Sequence, residues 1–379
     1  MSARLLCLFF LVGGGPPSHP SASATDVWTG IRRVVAIGDV HGDYQQFVTL
    51  LREAQLIDGK NKWIGGATHL VQTGDILDRG AESRKVMELL LSLETEARRA
   101  GGQVHALIGN HEAMNIYGDL RYTSAQEYEA FRDGNSEKVR ASFYQRHVES
   151  LKKSVPPNEL PELDEPYRRA WEARYPLGFF EHRFAFSNQG RYGKWILGHN
   201  AIIKINDTLF LHGGLSPKYG DDSIQAINQK VRTELEDPAQ LTGGIVLDEE
   251  GPLWYRGLAL AEETPLTPHV ERLLEKYGAR RIVVGHTVTE GAVIPRFQGK
   301  VLLIDVGLSA LYGARRACLI LEGDQVYALH RGRKLPLPGD SGPALLSYLR
   351  QAAALDPFPS PLQEMIQQIV EKNLVPVVP

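Results

Sequence analysis

Five short motifs along the chain each place an aspartate, asparagine or histidine directly after an apolar run that predicts a buried strand. Carboxylate oxygens, an amide oxygen and imidazole nitrogens, with no thiolate, form a donor set that suits hard or borderline metal ions. A pair of such ions is well suited to the hydrolysis of a phosphate ester. In chain order the motifs are Gly38–Asp43, Gly74–Gly80, Gly109–Glu112, His212–Gly214 and Gly285–Thr287.

The spacing of these residues predicts that they meet in space. Asp39 and His41 are two residues apart at the end of a strand. Their side chains therefore point to the same side of the backbone and can share one cation. Asp75 and Asn110 end the next two predicted strands. Because the carboxyl ends of adjacent parallel strands lie at one edge of a sheet, the polar residues that follow them are expected to converge there.

The donor types assign two metal positions. The first ion is predicted to bind Asp39, His41 and Asp75, and the Asp75 carboxylate can bridge to a second ion roughly 3.5–4 Å away. A water shared between two such ions loses a proton near neutral pH and can attack phosphorus in line. The predicted ligands of the second ion are Asp75, Asn110, His212 and His286.

Four further residues are candidates for stabilising the transition state. Arg79 and Arg256 can each present two N–H groups to phosphoryl oxygens. The alternative for both arginines is an ion pair at the surface. His111 is predicted to protonate the leaving oxygen, with Asp78 as the carboxylate that orients its imidazole.

Other polar residues near the motifs have less specific predictions. His105 lies within a predicted strand and is expected to be a core histidine. Tyr117, Arg121 and Tyr122 follow the third motif, and they either line the pocket or lie on a solvated surface.

Alternating strand and helix patterns supply the scaffold for these motifs. Residues 33–37, 68–72 and 104–108 are mostly apolar and predict strands. A helix from Asp43 to Leu56 has capping-box spacing at its start, and an amphipathic helix spans Glu82–Arg99. Two strand–helix–strand crossovers in succession predict a parallel sheet with right-handed connections.

The rest of the chain divides into an insertion, further strands and a tail. Residues from about 122 to 175 are polar and helix-prone, and they predict a helical insertion over the sheet edge or the site. The tail at residues 334–379 is rich in proline and contains two predicted helices, residues 343–354 and 361–372. The later predicted strands are residues 195–197, 201–205, 208–211, 281–284 and 301–304, followed by a hairpin of residues 317–321 and 325–329.

Composition and charge exclude several other classes of protein. The 379 residues include 42 basic and 45 acidic side chains, for a net charge of -3, so no basic excess indicates nucleic-acid binding. The two cysteines, Cys7 and Cys318, cannot build a disulfide framework or a thiolate zinc site. No segment has the roughly 20 apolar residues that a membrane span needs. The oligomeric state is not predicted by the sequence.

The first 24 residues have the pattern of a secretory signal peptide. Arg4 precedes the apolar run Leu5–Val12, and Ala22–Ala24 offers the small residues that precede a cleavage site. The alternative is a disordered or transit leader. The chain is therefore predicted to be exported, periplasmic or secreted, with one large domain at residues 32–333.

The motifs resemble those of the calcineurin-like metallophosphoesterases and, within them, the phosphoprotein phosphatase (PPP) group. The resemblance covers roughly residues 32–329, and Val288 stands where the wider superfamily often has a second histidine. The chain resembles the Shewanella-like protein phosphatases in particular. The stretches that carry this likeness are Gly109–Tyr122, Gly251–Arg256, Val283–Thr287 and Asp305–Ser309.

This resemblance implies a four-layer α/β/β/α sandwich with a helical insertion, a manganese, iron or zinc pair, and hydrolysis of phosphomonoesters. Members of the branch are associated with phosphotyrosine activity, so a phosphorylated protein is the implied substrate. Ile108 stands where eukaryotic serine/threonine phosphatases have an arginine, and their C-terminal substrate-loop signature is missing. The resemblance therefore does not extend to serine/threonine specificity.

Two other functions fit the same residues. A dinucleoside polyphosphate or another small phosphorylated metabolite is an alternative substrate, because only the pocket walls distinguish it from a phosphoprotein. A phospholigand-binding module without activity would require a lost ligand or clamp, and none of the predicted ligands is missing from the sequence.

Overall fold

The computed structural model describes residues 25–339 and 342–374, so the predicted signal peptide at residues 1–24 lies outside the described residues. The strands are β1 (Val27–Trp28), β2 (Arg33–Ile37), β3 (His69–Gln72), β4 (Gln103–Ala106), β5 (Ile202–Ile205), β6 (Thr208–Leu211), β7 (Arg281–Val284), β8 (Ile294–Arg296), β9 (Val301–Leu303), β10 (Ala317–Glu322), β11 (Gln325–His330) and β12 (Arg333–Pro336).

The α-helices of the described residues are α1 (Tyr44–Glu53), α2 (Ser83–Arg99), α3 (Asn110–Tyr117), α4 (Ala125–Glu129), α5 (Ser136–Ser154), α6 (Glu165–Arg174), α7 (Phe179–Ala185), α8 (Arg191–Leu197), α9 (Ile224–Glu236), α10 (Gly257–Leu260), α11 (Glu263–Tyr277), α12 (Pro343–Ala353) and α13 (Leu362–Leu374). Short 3₁₀ helices span Pro238–Gln240 and Ala310–Tyr312.

The strands of the described residues form two six-stranded sheets. In the first, the order is β12-β11-β10-β2-β3-β4, and β2, β3 and β4 are parallel, as the two predicted crossovers require. In the second, the order is β1-β5-β6-β7-β9-β8, and β6, β7 and β9 are parallel. Each sheet therefore has a parallel segment whose strands end at a common edge.

Apolar residues alternate along the strands and fill the spaces between layers. Val34 and Ala36 of β2 belong to a buried cluster with Phe210 of β6, so the two sheets face one another. Val35 and Ile37, which point the other way, belong to a cluster that includes residues of α1 and α2. The fold is a mixed α/β sandwich of two sheets flanked by helices, and the predicted fold class is confirmed.

The helix that follows the first motif begins at the predicted cap. The Asp43 carboxylate accepts a hydrogen bond from the Gln46 N–H at 3.0 Å, which satisfies one of the free N–H groups of the first turn of α1. The helix ends at Glu53, before the predicted end at Leu56. α2 ends at Arg99, as predicted, and is followed by Gly101 with a φ of 81°.

Several short elements differ from the prediction. Residues 195–197, predicted as a strand, are the last turn of α8, because so short an apolar run does not distinguish a strand from a helix. The sequence does not predict β8 and β12, since each contains a proline. Both lie at the edge of a sheet, where one side of the strand has no neighbour, so the missing N–H of proline need not cost a hydrogen bond between strands. β1, with only two residues, has no readable pattern.

Helices α4 to α8 follow the third motif and attach to α2 and α3, the helices that come after the second motif and within the third. The Arg183 guanidinium of α7 donates to the carbonyl oxygens of Asn115 at 2.5 Å and Ile116 at 3.3 Å in α3. Glu127 of α4 accepts a hydrogen bond from the Ser83 N–H at 2.9 Å and so caps α2. These helices therefore brace α2 and α3, and they continue to Leu197, beyond the predicted end of the insertion at residue 175.

The two C-terminal helices pack on the sandwich. Tyr348 and Leu349 of α12 belong to the buried cluster between the sheets. Between the helices, the Asp356 carboxylate accepts hydrogen bonds from the Arg331 guanidinium and the Ser360 hydroxyl, both at 2.7 Å. Across the described part of the chain, none of the helices combines the length and the apolar character that crossing a bilayer requires.

Candidate metal centre

The polar residues of the five motifs lie together where the parallel strands end. Asp39 follows β2, Asp75 follows β3, and Asn110 begins α3 just after β4. His212 and His286 follow β6 and β7 of the other sheet. Each of these residues is at most 6% exposed. The two sheets therefore bring predicted ligands from distant parts of the sequence into one buried place.

The first predicted metal position brings two of its ligands into a cluster with His111. One ligand atom each from His41, Asp75 and His111 lies within 4.8 Å of the others. His41 Nε2 is 3.9 Å from Asp75 Oδ2 and 4.0 Å from Asp39 Oδ2. These separations are too long for hydrogen bonds, so the atoms surround a small space.

The second predicted position gathers all four of its ligands around one nitrogen. His212 Nε2 is 3.2 Å from Asp75 Oδ1, 2.9 Å from Asn110 Oδ1 and 3.1 Å from His286 Nδ1. Asp75, His212 and His286 form the second buried cluster in which ligand atoms lie within 4.8 Å of one another. Asp75 belongs to both clusters, which is the place predicted for a bridging carboxylate.

Backbone carbonyl groups orient the three histidines. His41 Nδ1 lies 3.0 Å from the Leu77 carbonyl oxygen, and His212 Nδ1 lies 2.9 Å from that of Thr73. His286 uses the other nitrogen, Nε2, at 3.2 Å from the Trp254 carbonyl oxygen. A carbonyl oxygen only accepts, so these ring nitrogens carry the hydrogen and the opposite nitrogens direct lone pairs into the clusters.

This arrangement fits a cation. By the assignment above, His212 Nε2 and His286 Nδ1 both present lone pairs at a separation of 3.1 Å, and a shared positive ion satisfies both. Burial lowers the pKa of His41 to about 4, and burial together with His212 lowers the pKa of His286 to about 2. Both rings are thus neutral near pH 7, the state in which imidazole binds a metal.

Strained backbone conformations occur in the same segments. His41, Asp75 and His286 have φ angles of 46°, 57° and 64°, a region that residues with a Cβ rarely adopt. The motif glycines allow close packing against the ligands. A Cβ on Gly109 would lie 2.4 Å from Asp75 Oδ1, and one on Gly285 would lie 2.6 Å from Asp39 Oδ1.

His111 and Asp78 form the predicted pair. His111 Nδ1 lies 2.7 Å from Asp78 Oδ2, and both residues are 2% exposed. Asn115 Nδ2 donates to the same oxygen at 3.0 Å, and the Thr123 hydroxyl donates to Asp78 Oδ1 at 2.8 Å. Burial lowers the pKa of His111, but the Asp75 and Asp78 carboxylates more than offset it and raise the pKa above its usual value.

Arg79 lies between two tyrosine rings beside the first cluster. Its guanidinium carbon is 4.6 Å from the centroid of Tyr122 and 5.5 Å from that of Tyr312. The Tyr122 ring is 5.1 Å from the His111 ring, and the Tyr312 ring is 5.6 Å from the His41 ring. Arg79 Nε is buried and has no hydrogen-bond partner among the described residues.

Arg256 also lies at the centre, bound to the segment that carries His286. Its Nη1 donates to the His286 carbonyl oxygen at 2.7 Å and to the Thr287 hydroxyl at 3.0 Å. The residue is exposed and lies beside the His286 segment. Neither Arg79 nor Arg256 takes part in a carboxylate ion pair among the described residues, so the surface-pair alternative is not what the structure shows.

The remaining candidates separate into different environments. Tyr122 lies at the site, whereas the Arg121 guanidinium, on an exposed side chain, pairs with Asp119 at 2.5 Å. Tyr117 packs against the buried cluster of α3 and its neighbours. His105 is a core histidine as predicted, with its Nε2 3.0 Å from His69 Nδ1.

Comparison with known proteins shows the family. A family model described as calcineurin-like phosphoesterase matches residues 32–290. The chain belongs to the calcineurin-like phosphoesterases. The resemblance that the motifs carry is thereby confirmed.

Three individual proteins show which members of the family this calcineurin-like phosphoesterase resembles. Shewanella-like protein phosphatase 2 of Arabidopsis thaliana is 31% identical over 315 residues, which cover 77% of this chain and 76% of the relative. Shewanella-like protein phosphatase 1 of Plasmodium berghei is 28% identical over 292 residues, which cover 74% of this chain and 68% of the relative. The solved cold-active protein-tyrosine phosphatase of a psychrophilic Shewanella species superposes with a TM-score of 0.63 at 28% identity. The superposition covers 86% of this chain and 87% of the solved one.

These findings establish the general activity. The calcineurin-like phosphoesterase is a metal-dependent phosphatase, as predicted, and its buried histidine and aspartate clusters mark a divalent metal centre.

Three residues at the centre are absent from the predicted set. Asp305 is buried beside Asp39, and burial raises the pKa of its carboxyl to about 6. It directly follows the apolar run of β9, so the rule that finds the ligands would also have found it. Glu112 stands three residues after Gly109, a helix-start spacing. Tyr312 has no local signal, since only the fold brings its ring to His41.

Glu112 holds together the two loops that carry Asp75 and Asn110. Its buried carboxylate accepts hydrogen bonds from the N–H groups of Asp75 at 2.7 Å, Ile76 at 2.9 Å and Gly109 at 2.8 Å. We expect Glu112→Ala in this calcineurin-like phosphoesterase to lower the free energy of unfolding by about 3–5 kcal/mol, because three buried N–H groups lose their acceptor. Urea unfolding measures this effect. Glu271→Gln, an exposed carboxylate on α11, is the control, and an unchanged midpoint for Glu112→Ala would contradict the role.

Proposed function

We propose that the chain is a tyrosine-type protein phosphatase that works with two metal ions. The names of its relatives support protein substrates, and the solved structures with TM-scores of 0.63 and 0.64 are of a protein tyrosine phosphatase. The observation that carries the proposal is the Arg79 guanidinium between the rings of Tyr122 and Tyr312, which contact His111 and His41 of the first cluster.

The proposed metal ligands are those predicted from the sequence, and they lie in or beside the two clusters. Asp39, His41 and Asp75 hold the first ion. When bound, the ions would supply charge stabilisation for the phosphoryl oxygens and a water acidic enough to attack near neutral pH. Oxygen and nitrogen ligands accept manganese, iron or zinc, so metal availability decides which pair is bound. The second ion is held by Asp75, Asn110, His212 and His286.

The two arginines bind the phosphate group in this proposal. Arg79 Nε has no hydrogen-bond partner within the described ranges, and aromatic rings flank the guanidinium, so Arg79 can donate two parallel hydrogen bonds to phosphoryl oxygens. Arg256 keeps one nitrogen hydrogen-bonded to the His286 carbonyl oxygen, and its other nitrogens can donate hydrogen bonds to the phosphate. Together they compensate the negative charge of the substrate and of its transition state.

His111 delivers a proton to the leaving oxygen. With Nδ1–H bound to Asp78, the proton on Nε2 of the imidazolium is the one that can be transferred. Asp78 keeps the ring in this orientation and stabilises its positive form, as the raised pKa of His111 indicates. The pair thus converts a tyrosinate leaving group into neutral tyrosine.

The aromatic walls favour an aryl phosphate. Tyr122 is 39% exposed, so part of its ring is open to a ligand while the rest contacts His111 and Arg79. A phenyl ring attached to a phosphate at Arg79 would lie within stacking reach of Tyr122 and Tyr312, and such aromatic pairs contribute about 0.5–1.5 kcal/mol beyond area burial. A serine side chain offers no ring to these walls.

Substrate comparison tests the proposal. Wild type is expected to show a higher kcat/KM on a phosphotyrosine peptide than on the phosphoserine peptide of the same sequence. Tyr122→Ala is expected to lower the ratio of the two values roughly tenfold, because a ring contact worth about 1.4 kcal/mol is lost. Tyr122→Phe, which keeps the ring, should retain the wild-type ratio.

The same assay addresses the alternative substrate. A higher kcat/KM on diadenosine tetraphosphate than on the phosphotyrosine peptide would refute the protein-phosphatase proposal and favour a small-metabolite phosphohydrolase. Equal rates on both peptides in wild type would refute tyrosine preference alone.

We also propose that the enzyme is exported. The proposal depends on the signal-peptide pattern of residues 1–24, which lie outside the described residues. N-terminal sequencing of the protein isolated from its source should begin after Ala24, and a mature protein that retains Met1 would contradict export through this segment.

A further inference from the structure

Asp305 places an additional carboxylate next to the proposed first metal position. It comes after β9, which runs parallel to β7, so it leaves the sheet at the same edge as His286. The backbone there touches that of Gly38, where an added Cβ would lie 2.4 Å from the Ile304 carbonyl oxygen and 2.8 Å from Asp305 Cα. Asp39, the next residue after Gly38, therefore has Asp305 as a neighbour from the other sheet.

The Asp305 side chain is buried and only half satisfied. The residue is 1% exposed, and its Oδ1 accepts a hydrogen bond from the Gly307 N–H at 3.0 Å. Its Oδ2 has no hydrogen-bond partner within residues 25–339 and 342–374. The carboxyl group lies against that of Asp39, whose own Oδ1 accepts from the His286 N–H at 3.0 Å.

Two ionised carboxylates in contact repel each other, and either a shared proton or a nearby cation relieves that repulsion. Neither Asp39 nor Asp305 forms an ion pair with a lysine or arginine in the part of the chain that the structure describes. When both carboxyls are ionised, the compensating positive charge must come from a group outside the described residues. A divalent ion at Asp39 supplies it, and in return it gains a further negative charge beside its ligands.

The two metal positions consequently differ in charge. The first has the carboxylates of Asp39 and Asp75 together with the nearby Asp305. The second has a single carboxylate, which it shares with the first. Its other ligands are neutral, namely Asn110, His212 and His286.

We propose that Asp305 is a positioning residue of the metal centre, whose negative charge makes the Asp39 position the tighter of two cation sites. The inference rests on the metal ligands proposed above. Asp305 acts through Asp39 and does not touch the substrate. Its role is to strengthen, through its negative charge, the binding of the ion at Asp39.

Titration of the metal-free, full-length protein with MnCl₂ in a calorimeter tests the proposal. Wild type is expected to bind two Mn²⁺ ions with different dissociation constants. Asp305→Asn keeps the shape of the side chain and an acceptor for the Gly307 N–H, but it removes the charge. We expect it to weaken the tighter event roughly 10- to 100-fold, the usual effect of losing an outer-shell partner, and to leave the weaker event unchanged.

A matched variant and a second readout separate this role from a structural one. Asp324→Asn removes an 82% exposed carboxylate and should bind both ions as wild type does. In thermal unfolding, metal-free Asp305→Asn is expected to have a Tm equal to or above that of wild type, because it removes repulsion with Asp39. Its rise in Tm upon addition of Mn²⁺ should be smaller than that of wild type, because stabilisation by a ligand follows affinity.

Several results would overturn the proposal. These are equal affinity at the two sites of wild type, wild-type Mn²⁺ binding by Asp305→Asn, or a lower metal-free Tm with an unchanged rise upon Mn²⁺ addition. A wild-type protein that binds no Mn²⁺ would refute both this inference and the metal assignment. If Mn²⁺ binds and Asp305→Asn loses only the tighter event while no phosphatase activity is found, the inference stands and the proposed function fails.

Discussion

Asp75→Asn is expected to lower kcat for p-nitrophenyl phosphate by roughly a thousandfold or more, because Asp75 is the carboxylate that the two buried clusters of the described residues share. Asp75 Oδ1 is 3.2 Å from His212 Nε2, and its Oδ2 is 3.9 Å from His41 Nε2. Asparagine has the same shape, and its carbonyl oxygen can still accept the His111 N–H that Asp75 Oδ1 accepts at 3.0 Å. The expected loss is therefore one of charge between the two proposed cations rather than of fold.

The measurement combines kinetics with metal content. Purified Asp75→Asn, assayed with excess Mn²⁺, should show the reduced kcat and should contain fewer metal ions per chain than wild type. Asp221→Asn, an exposed carboxylate before α9, is the matched control and should behave as wild type. A near-normal kcat of Asp75→Asn, with two ions still bound, would contradict the bridging role.

His111→Asn is expected to lower kcat on a phosphotyrosine peptide by about 10²–10⁴-fold, the range that a general acid contributes. The loss should be smaller on p-nitrophenyl phosphate, because p-nitrophenolate is a better leaving group and needs less protonation. A residue that acted only on folding or metal binding would reduce both rates equally. The difference between the two substrates therefore reports proton transfer.

Two further variants complete the test of the acid. Asp78→Asn leaves the ring in place but removes the carboxylate at 2.7 Å from Nδ1, so an intermediate loss with the same leaving-group dependence is expected. His147→Asn, in α5, removes a histidine that bonds the Tyr167 hydroxyl and serves as the control. Equal losses of His111→Asn on both substrates would show that His111 is not the acid.

The elements that could be predicted are those with a strong local pattern. β2 and the end of α2 match the prediction, because an apolar β-branched run and an amphipathic stripe each carry their own signal. The cap at Asp43 depends on a contact with Gln46 only three residues away. α9 was not predicted, although its buried apolar residues recur at helical spacing and so carry a local signal of the same kind.

The part of the site that could be predicted consists of polar residues that directly follow a strand. A polar residue after a buried strand can be recognised from the chain alone, and the parallel order of the strands makes such residues converge. The contacts that refine the site span long distances in sequence. Tyr312 reaches His41, and Asp305 reaches Asp39, only because β2 and β9 belong to sheets that face one another.

The sequence by itself determined the family, the phosphatase chemistry and the identity of the ligand-type residues, because these depend on short motifs with chemically distinct side chains. The tertiary structure alone decided which of these residues touch one another. It oriented the three ligand histidines by hydrogen bonds to backbone carbonyl oxygens. It also placed Arg79 between Tyr122 and Tyr312, and Asp305 against Asp39. The physical reason is that packing two sheets fixes distances between residues hundreds of positions apart, and no local pattern encodes such distances.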